Sequence, residues 1–265
     1  MSGLAEILLE EGFTVTGSDS HETGLTDHLT DRGARVYYGQ RAANIEKEPG
    51  IDVVVYTAAI HEDNPEFMAV KEKGIPMLSR AELLGEMMRN YKQAVAVSGT
   101  HGKTTTTSMI TDILLAGNLD PTISVGGILQ DIGGNIRVGS PDLFVTEACE
   151  YTNSFLSFYP RIGIILNIEE DHLDFFRDLA DIRSSFRRFA QLLPEDGVLI
   201  LNGDIPDYRE ITEGLACSVI TFGSLEACDY YPTDISHDEL AHAGFTLNRR
   251  NGSPVPVSLG VPGEH

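Results

Sequence analysis

Short apolar runs alternate with amphipathic stretches over the first ninety residues of the chain. Strands are predicted at 13–19, 35–38, 51–56 and 75–78, and the mostly apolar run at 51–56 predicts a buried strand. Apolar residues at helical spacing predict helices at 4–10, 25–32, 65–73 and 80–90, the third ending at Gly74. This alternation predicts a parallel sheet covered by helices, a Rossmann-like α/β arrangement.

A second alternating pattern begins near residue 93. Strands are predicted at 122–125, 143–146, 162–166, 198–201 and 219–222, with a long helix at 179–193. Near the end, apolar segments flank Asn251-Gly252, a dipeptide that predicts a hairpin because both residues accept the positive φ of a tight turn. We therefore predict two α/β domains, 1–92 and 93–265, the second with a small β extension.

A glycine-rich turn joins an apolar run at 94–97 to a helix-compatible segment at 106–115. Glycines allow backbone N–H groups to converge on phosphate oxygens, and a helix N-terminus favours anions. Lys103 would reach the β- and γ-phosphates of ATP, and the Thr104 hydroxyl would bind Mg²⁺. The pattern predicts a P-loop-type, parallel-sheet ATPase domain. Its predicted ATP-binding residues are Gly99, Thr100, His101, Gly102, Lys103, Thr104 and Thr105.

This loop departs from the general phosphate-binding pattern at one position. That pattern has a glycine where this chain has Val97, so only the shorter Gly-Thr-x-Gly-Lys-Thr form is present. The alternative interpretation is a strand-to-helix turn that contains glycine and lysine without binding phosphate. The flanking strand and helix favour the nucleotide site.

Acidic residues follow two of the predicted strands, at the edge where parallel sheets bind ligands. Glu147 closes the strand at 143–146, with Glu150 as a weaker candidate three residues later, and Cys149 is predicted to be a small buried filler. His172 lies in the acidic segment 167–174 after the strand at 162–166. The predicted metal ligands are Thr104, Glu147 and His172, against the alternatives of a solvated loop acid and a structural histidine.

The composition limits the classes of partner. The formal net charge is −21 over 265 residues, which argues against binding to nucleic acid polymers or anionic membranes. The cysteines Cys149, Cys217 and Cys228 have neither metal-site nor disulfide spacing, which fits a reducing compartment. Apolar runs stay well short of the ~20 residues of a membrane span, and the first residues do not resemble a signal peptide. We therefore expect a cytoplasmic protein.

Taken in order along the chain, these motifs resemble those of the Mur ligases of peptidoglycan synthesis. The segments that carry the resemblance are 99–106, 147–150, 167–174 and 262–265, together with 1–5, 15–19, 58–60, 64–66 and 80–84. The resemblance implies an ADP-forming ligase that joins L-alanine to the carboxylate of UDP-N-acetylmuramate through an acyl phosphate, with ATP and Mg²⁺. Its N-terminal domain would hold the UDP sugar, its central domain ATP, and a C-terminal domain would close over ATP.

The resemblance also implies roles for single residues. Lys103, His172 and Asn167 would be catalytic, with Asn167 orienting the metal or the nucleotide. Ser2 and Asp19 would contact the UDP sugar. Several sister ligases carry a carbamylated lysine downstream of the histidine, whereas this chain has no lysine after Lys103 and has residues 183–188 in that region. We therefore expect no carbamate here.

The sequence leaves alternatives to this function. A ligase that recycles murein tripeptide onto the same nucleotide sugar shares the glycine-rich loop and the N-terminal motifs. The chain begins on a helix and stops within a family motif, so we expect the first strand with its glycine loop and the C-terminal domain to be missing. An inactive nucleotide-binding fragment is therefore the second alternative, and the oligomeric state stays open.

Overall fold

The structure is a computed structural model that describes residues 1–57, 59–129 and 132–262. Its chain forms two compact units. The first comprises Met1–Ala94, Thr107–Thr146 and Ser157–Tyr159, and the second comprises Val95–Thr106, Glu147–Leu156 and the residues from Pro160 onward. Residues 58 and 263–265, which contribute to the family resemblance, lie outside the described residues.

Helices and strands alternate along most of the described chain. The helices are α1 (Ser2–Glu10), α2 (Gly24–Asp31), α3 (Ala42–Lys47), α4 (Pro65–Lys73), α5 (Arg80–Met88), α6 (Lys103–Ala116), α7 (Leu179–Ala190) and α8 (Arg209–Thr212), and 3₁₀ turns cover Tyr151–Ser157. The strands are β1 (Thr16–Asp19), β2 (Arg35–Tyr38), β3 (Val54–Tyr56), β4 (Met77–Ser79), β5 (Gln93–Ser98), β6 (Thr122–Leu129), β7 (Gly134–Arg137), β8 (Leu143–Ala148), β9 (Ile162–Ile165), β10 (Val198–Asn202), β11 (Ser218–Phe222), β12 (Tyr230–His237), β13 (His242–Arg249) and β14 (Gly252–Pro262). Among the described residues, no helix has the length and apolar character needed to cross a membrane.

In the first unit the strands pair in parallel as predicted, β1 with β2, β3 with β4 and β6 with β8. The prediction for 51–56 was wrong in two respects: the strand is confined to Val54–Tyr56, and it is half-buried. In the described residues β3 pairs only with β4, and so small a sheet leaves Val53 42% exposed. Strand β7 was not predicted, because its segment offers only one large apolar side chain, Ile136.

The second unit is built on a sheet with the strand order β14-β13-β12-β11-β10-β9-β5. Strands β5, β9, β10 and β11 run parallel, and β12, β13 and β14 form the antiparallel extension, in which the predicted hairpin joins β13 to β14. The register pairs Ser98 with Ile165, so the carboxyl ends of β5 and β9 lie side by side. The α/β class with a mainly parallel sheet is thus confirmed.

Helix α7 presents one apolar face to this sheet core. Ile182, Phe186 and Phe189 recur at helical spacing and are at most 1% exposed. Phe155, which follows the acidic segment after β8, stacks on Phe189 with ring centroids 4.9 Å apart and meets Phe186 edge-on at 5.5 Å. Aromatic burial of this kind anchors the turn that carries the candidate site.

An acid-sensitive contact holds the start of the β extension. Asp229 Oδ2 accepts hydrogen bonds from the Thr221 amide and hydroxyl, both at 2.9 Å, and Arg250 Nη1 lies 3.1 Å from Asp229 Oδ1. The amide bond from Thr221 is the main cause that lowers the pKa of Asp229 below its ordinary value, and the Thr221 hydroxyl and Arg250 add to it.

We expect Asp229→Asn to lower the free energy of unfolding by about 1–2 kcal/mol at neutral pH, because hydrogen bonds weaken when the acceptor loses its charge. The folded-state pKa is depressed, so the stabilisation is complete above the unfolded pKa of about 3.9 and is lost as the pH falls through the folded value. Urea unfolding at about pH 7 and about pH 3 measures the difference, with the exposed Glu226→Gln as the control. A difference that stays constant down to low pH would contradict this prediction.

Candidate active site

The glycine-rich loop leaves β5 through two backbone conformations that favour glycine. Gly99 has φ +145° and Gly102 has φ +81°. A Cβ atom on Gly99 would lie 2.9 Å from the Leu166 Cβ atom and 3.3 Å from the Asn167 nitrogen. The loop therefore runs so close to the segment after β9 that only glycine fits at position 99.

The same loop is bound to the segment after β9 by a set of reciprocal hydrogen bonds. Asn167 Oδ1 accepts from the His101 amide at 2.8 Å, and Asn167 Nδ2 donates to the His101 carbonyl at 3.1 Å. The Thr100 amide donates to the Asn167 carbonyl at 3.2 Å, and the Thr100 hydroxyl accepts from the Glu169 amide at 2.9 Å. Asn167 thus braces the loop, and its predicted role toward metal or nucleotide stays a prediction.

Lys103 is the first residue of α6, and its side chain folds back over the loop. Its Nζ atom donates to the Gly99 carbonyl at 2.6 Å, to the Thr100 carbonyl at 3.1 Å and to Glu150 Oε2 at 3.0 Å. The side chain is 15% exposed. A cation is therefore held at the mouth of the loop, at the helix N-terminus where phosphate groups bind.

Glu150, the weaker sequence candidate, occupies the centre of this arrangement. Its side chain is 2% exposed. One carboxylate oxygen receives the Lys103 bond, whereas the buried Oε1 has no hydrogen-bond partner and lies 3.6 Å from His172 Nε2. An unsatisfied buried carboxylate oxygen is costly unless a further cation or donor meets it.

The predicted metal ligands fall into two neighbouring groups. Thr104 Oγ1 donates to Glu147 Oε2 at 3.0 Å, and Glu147 is half-buried near the end of β8. His172 instead belongs with Glu150 and Asp171, whose ligand atoms all lie within 4.8 Å of one another. The carboxylate oxygens of Glu150 and Asp171, one of them orphaned, and the Thr104–Glu147 oxygens suit a hard divalent cation such as Mg²⁺, and the His172 imidazole offers a nitrogen ligand beside them. Asp171 was not among the predicted ligands.

His172 adopts a left-handed backbone with φ +51°, which is uncommon for a residue other than glycine. Its amide donates to Asp171 Oδ1 at 2.7 Å, and its carbonyl accepts from the Phe175 and Phe176 amides at 2.9 Å each. The local hydrogen bonds thus fix a backbone geometry that the sequence pattern did not indicate, and His172 Nε2 lies 3.6 Å from Glu150 Oε1.

The outcomes for three other predicted positions differ. Cys149 is exposed, so the prediction of a buried filler was wrong: it lies between Ala148 and Glu150, whose side chains are buried instead. Desolvation nevertheless raises the pKa of the Cys149 thiol, which disfavours a thiolate nucleophile. In the first unit, Ser2 opens α1, and Asp19 is exposed at the end of β1, where its Oδ1 accepts from the His21 amide at 3.3 Å. Their predicted contacts with a UDP sugar stay predictions.

We expect Gly99→Ala to destabilise the second unit by more than about 1 kcal/mol, since the side chain meets both a positive φ and the Leu166 side chain. Gly260→Ala is the matched control, because Gly260 belongs to the same unit and has open space around its Cβ position. Urea unfolding followed by circular dichroism compares the two variants. Equal midpoints for the two variants would mean that the loop has room for a side chain.

Comparison with known sequences places both parts of the chain in one family. Residues 1–92 match the family described as "Mur ligase family, catalytic domain", and residues 97–265 match "Mur ligase middle domain". The chain is 59% identical to UDP-N-acetylmuramate–L-alanine ligase of Agathobacter rectalis and 48% identical to the protein of that name from Clostridium botulinum. Both alignments include the whole chain, which spans 57% of the length of each relative.

Two solved structures have a similar fold. UDP-N-acetylmuramate-alanine ligase from Thermotoga maritima aligns with a TM-score of 0.80 and 28% identity, over 99% of this chain and 58% of that one. UDP-N-acetylmuramate:L-alanyl-gamma-D-glutamyl-meso-diaminopimelate ligase from Neisseria meningitides aligns with a TM-score of 0.82 and 28% identity, over 94% of this chain and 80% of that one.

Proposed function

This chain belongs to the Mur ligase family, and from that premise we propose that it is the nucleotide-sugar- and ATP-binding part of an ADP-forming ligase. The substrates we propose are UDP-N-acetylmuramate, L-alanine and ATP, as the names of the relatives suggest. The observation that carries the proposal is the convergence of Lys103, Glu150 and His172 beside a glycine-rich loop at the carboxyl end of β5.

The reaction would join two anions before it forms an amide. A carboxylate oxygen of the sugar attacks the γ-phosphorus of ATP, the bond to the β-bridging oxygen breaks, and ADP leaves. The amine nitrogen of alanine then attacks the carbonyl carbon of the acyl phosphate, loses a proton and expels inorganic phosphate. The first step brings together a carboxylate and a triphosphate, so its barrier depends on neutralisation of negative charge.

The residues of this chain supply that neutralisation at fixed positions. The Lys103 ammonium would exchange its loop carbonyls for phosphate oxygens, and the amides of the loop would bind the same phosphates. Mg²⁺ would be held by Thr104 with Glu147 and by Glu150 with His172, where it offsets phosphate charge. Asn167 would keep the loop in the conformation that binds phosphate.

We further propose the domain division 1–92 and 93–265, which the two family matches support with limits of 1–92 and 97–265. The first domain would hold the UDP sugar through residues that include Ser2 and Asp19. The cytoplasm is the compartment we propose, because that is where ATP is available to such a ligase.

The test of the nucleotide site is calorimetry of this chain with Mg·ATP. We expect weak binding, with a dissociation constant between about 1 µM and 1 mM, because the chain has the loop but spans only 57% of its relatives. Absence of binding at millimolar ATP would contradict the nucleotide site.

For the substrates, ligation by the chain extended to the length of its relatives should proceed with L-alanine and not with murein tripeptide. The reverse preference would support the recycling reaction instead.

A further inference from the structure

The His172 imidazole lacks the anchor that a metal-binding histidine usually has. Such a histidine ordinarily donates its second ring N–H to a carboxylate or carbonyl, which fixes the orientation of the ring. Among the described residues, neither ring nitrogen of His172 makes a hydrogen bond, and its nearest carboxylates, Glu150 and Asp171, lie 3.6 Å and 3.8 Å from Nε2. Any restriction on the ring orientation would therefore come from another kind of contact.

The Tyr151 ring lies against that imidazole. The two ring centroids are 4.5 Å apart with an interplanar angle of 33°, which is a tilted stacking contact. The Tyr151 hydroxyl donates to Asp174 Oδ2 at 2.7 Å, two residues beyond His172, and Phe175 meets the Tyr151 ring edge-on at 6.1 Å. Tyr151 thus bridges from the turn that carries Glu150 to the turn that carries His172.

The backbone around Tyr151 is itself held in an uncommon conformation. The next two residues, Thr152 and Asn153, have φ +54° and φ +57°. The Tyr151 carbonyl accepts hydrogen bonds from the Thr152 and Ser154 hydroxyls, both at 2.7 Å. Hydrogen bonds therefore fix the direction in which the ring leaves the chain, although Tyr151 is 37% exposed and makes no contribution to the apolar core.

We propose that Tyr151 is a positioning residue whose ring holds the His172 imidazole toward Glu150, so that the pair is ready for the divalent cation. The inference rests on the proposed function, because it assumes that His172 binds a cation. The stacked ring replaces the missing hydrogen bond in restricting the imidazole. The hydrogen bond to Asp174 holds the hydroxyl end of the tyrosine and contributes less to the position of the imidazole than the ring contact does.

The experiment measures Mn²⁺ affinity of the intact chain by the loss of the electron paramagnetic resonance signal of free Mn²⁺ at physiological salt. We expect Tyr151→Leu to weaken Mn²⁺ binding about tenfold, in the range found when a group that orients a metal ligand is removed. Tyr151→Phe keeps the ring and should retain affinity within about threefold of the wild type, since only the bond to Asp174 is lost. Near-wild-type melting temperatures would confirm that both variants fold.

A double-mutant cycle separates positioning from general damage. In a His172→Ala background, Tyr151→Leu should cause no further loss, whereas in a Glu147→Gln background it should cause the same tenfold loss as in the wild type. A full additional loss without His172, or Tyr151→Phe as weak as Tyr151→Leu, would overturn the proposal. If His172→Ala alone left Mn²⁺ affinity unchanged, the proposed cation site would fail first, and the role of Tyr151 with it.

Discussion

Lys103→Ala is expected to reduce ATP-dependent ligation by roughly a hundredfold or more, because in the proposed site it removes the charge that stabilises the phosphates during phosphoryl transfer. Within the part of the chain that the structure describes, the Lys103 ammonium donates to two loop carbonyls and to the buried Glu150, all within 3.1 Å. An incoming anion would therefore replace the two neutral carbonyls as acceptor. Mg·ATP affinity of this chain, measured by calorimetry, should fall in parallel, while binding of the UDP sugar should persist.

The control for this variant is Lys92→Ala. Lys92 is 80% exposed and pairs with Asp142 on the surface, so its loss changes the net charge equally without touching the loop. Ligation is assayed as alanine-dependent phosphate release by the chain extended to the length of its relatives. Turnover of Lys103→Ala within threefold of the wild type would refute the role given to this residue.

Glu150→Gln is expected to impair both cation and nucleotide binding, and to do so more severely than Glu147→Gln. The buried Glu150 carboxylate is shared between Lys103 and the His172 group, whereas Glu147 contacts the Thr104 hydroxyl. The neutral amide cannot balance the Lys103 charge or serve as an anionic ligand. We therefore expect the Mg²⁺ affinity to fall at least about tenfold, which is the loss found when a residue that orients a metal ligand is replaced. Glu147→Gln should mainly raise the Mg²⁺ requirement and the KM for ATP.

Mg²⁺ titration of ATP binding and of single-turnover ADP formation distinguishes these variants. Glu170→Gln is the control, because this glutamate is exposed in the same acidic segment. His172→Ala should depress ADP formation more than ATP binding, since the ligand atom of His172 groups with those of Glu150 and Asp171, whereas Thr104 pairs with Glu147. If Glu150→Gln behaved like Glu170→Gln, the buried carboxylate would have no part in the site.

The fold was predictable where a local pattern determines the structure. Helix α4, for example, begins at the Asn64 cap, whose Oδ1 accepts from the Glu66 amide at 2.9 Å, and ends at Gly74 with φ +64°. The strand at 51–56 was predicted too long because its burial depends on the size of the sheet that it joins. The size of a sheet depends on tertiary contacts and cannot be predicted from a short segment of the sequence.

The site was predictable in its parts and not in their grouping. The motifs indicated Lys103, Thr104, Glu147 and His172, and the structure brings all four to the same unit. Glu150 contacts both Lys103 and His172 because its side chain, and not that of Glu147, turns inward at the end of β8. The sequence does not indicate which of the two glutamates does so. The stacking of Tyr151 on His172 joins residues twenty-one positions apart and has no periodicity to reveal it.

The side-chain amide of Asn167 makes the position of the glycine-rich loop depend on the position of the segment after β9. It joins the backbone at His101 to the segment that leads to His172, so a shift of either loop is transmitted to the other. A substitution that shifts the glycine-rich loop is therefore expected to shift the segment that leads to His172 as well. Variation that preserves function should accordingly occur as paired changes on both sides of this amide.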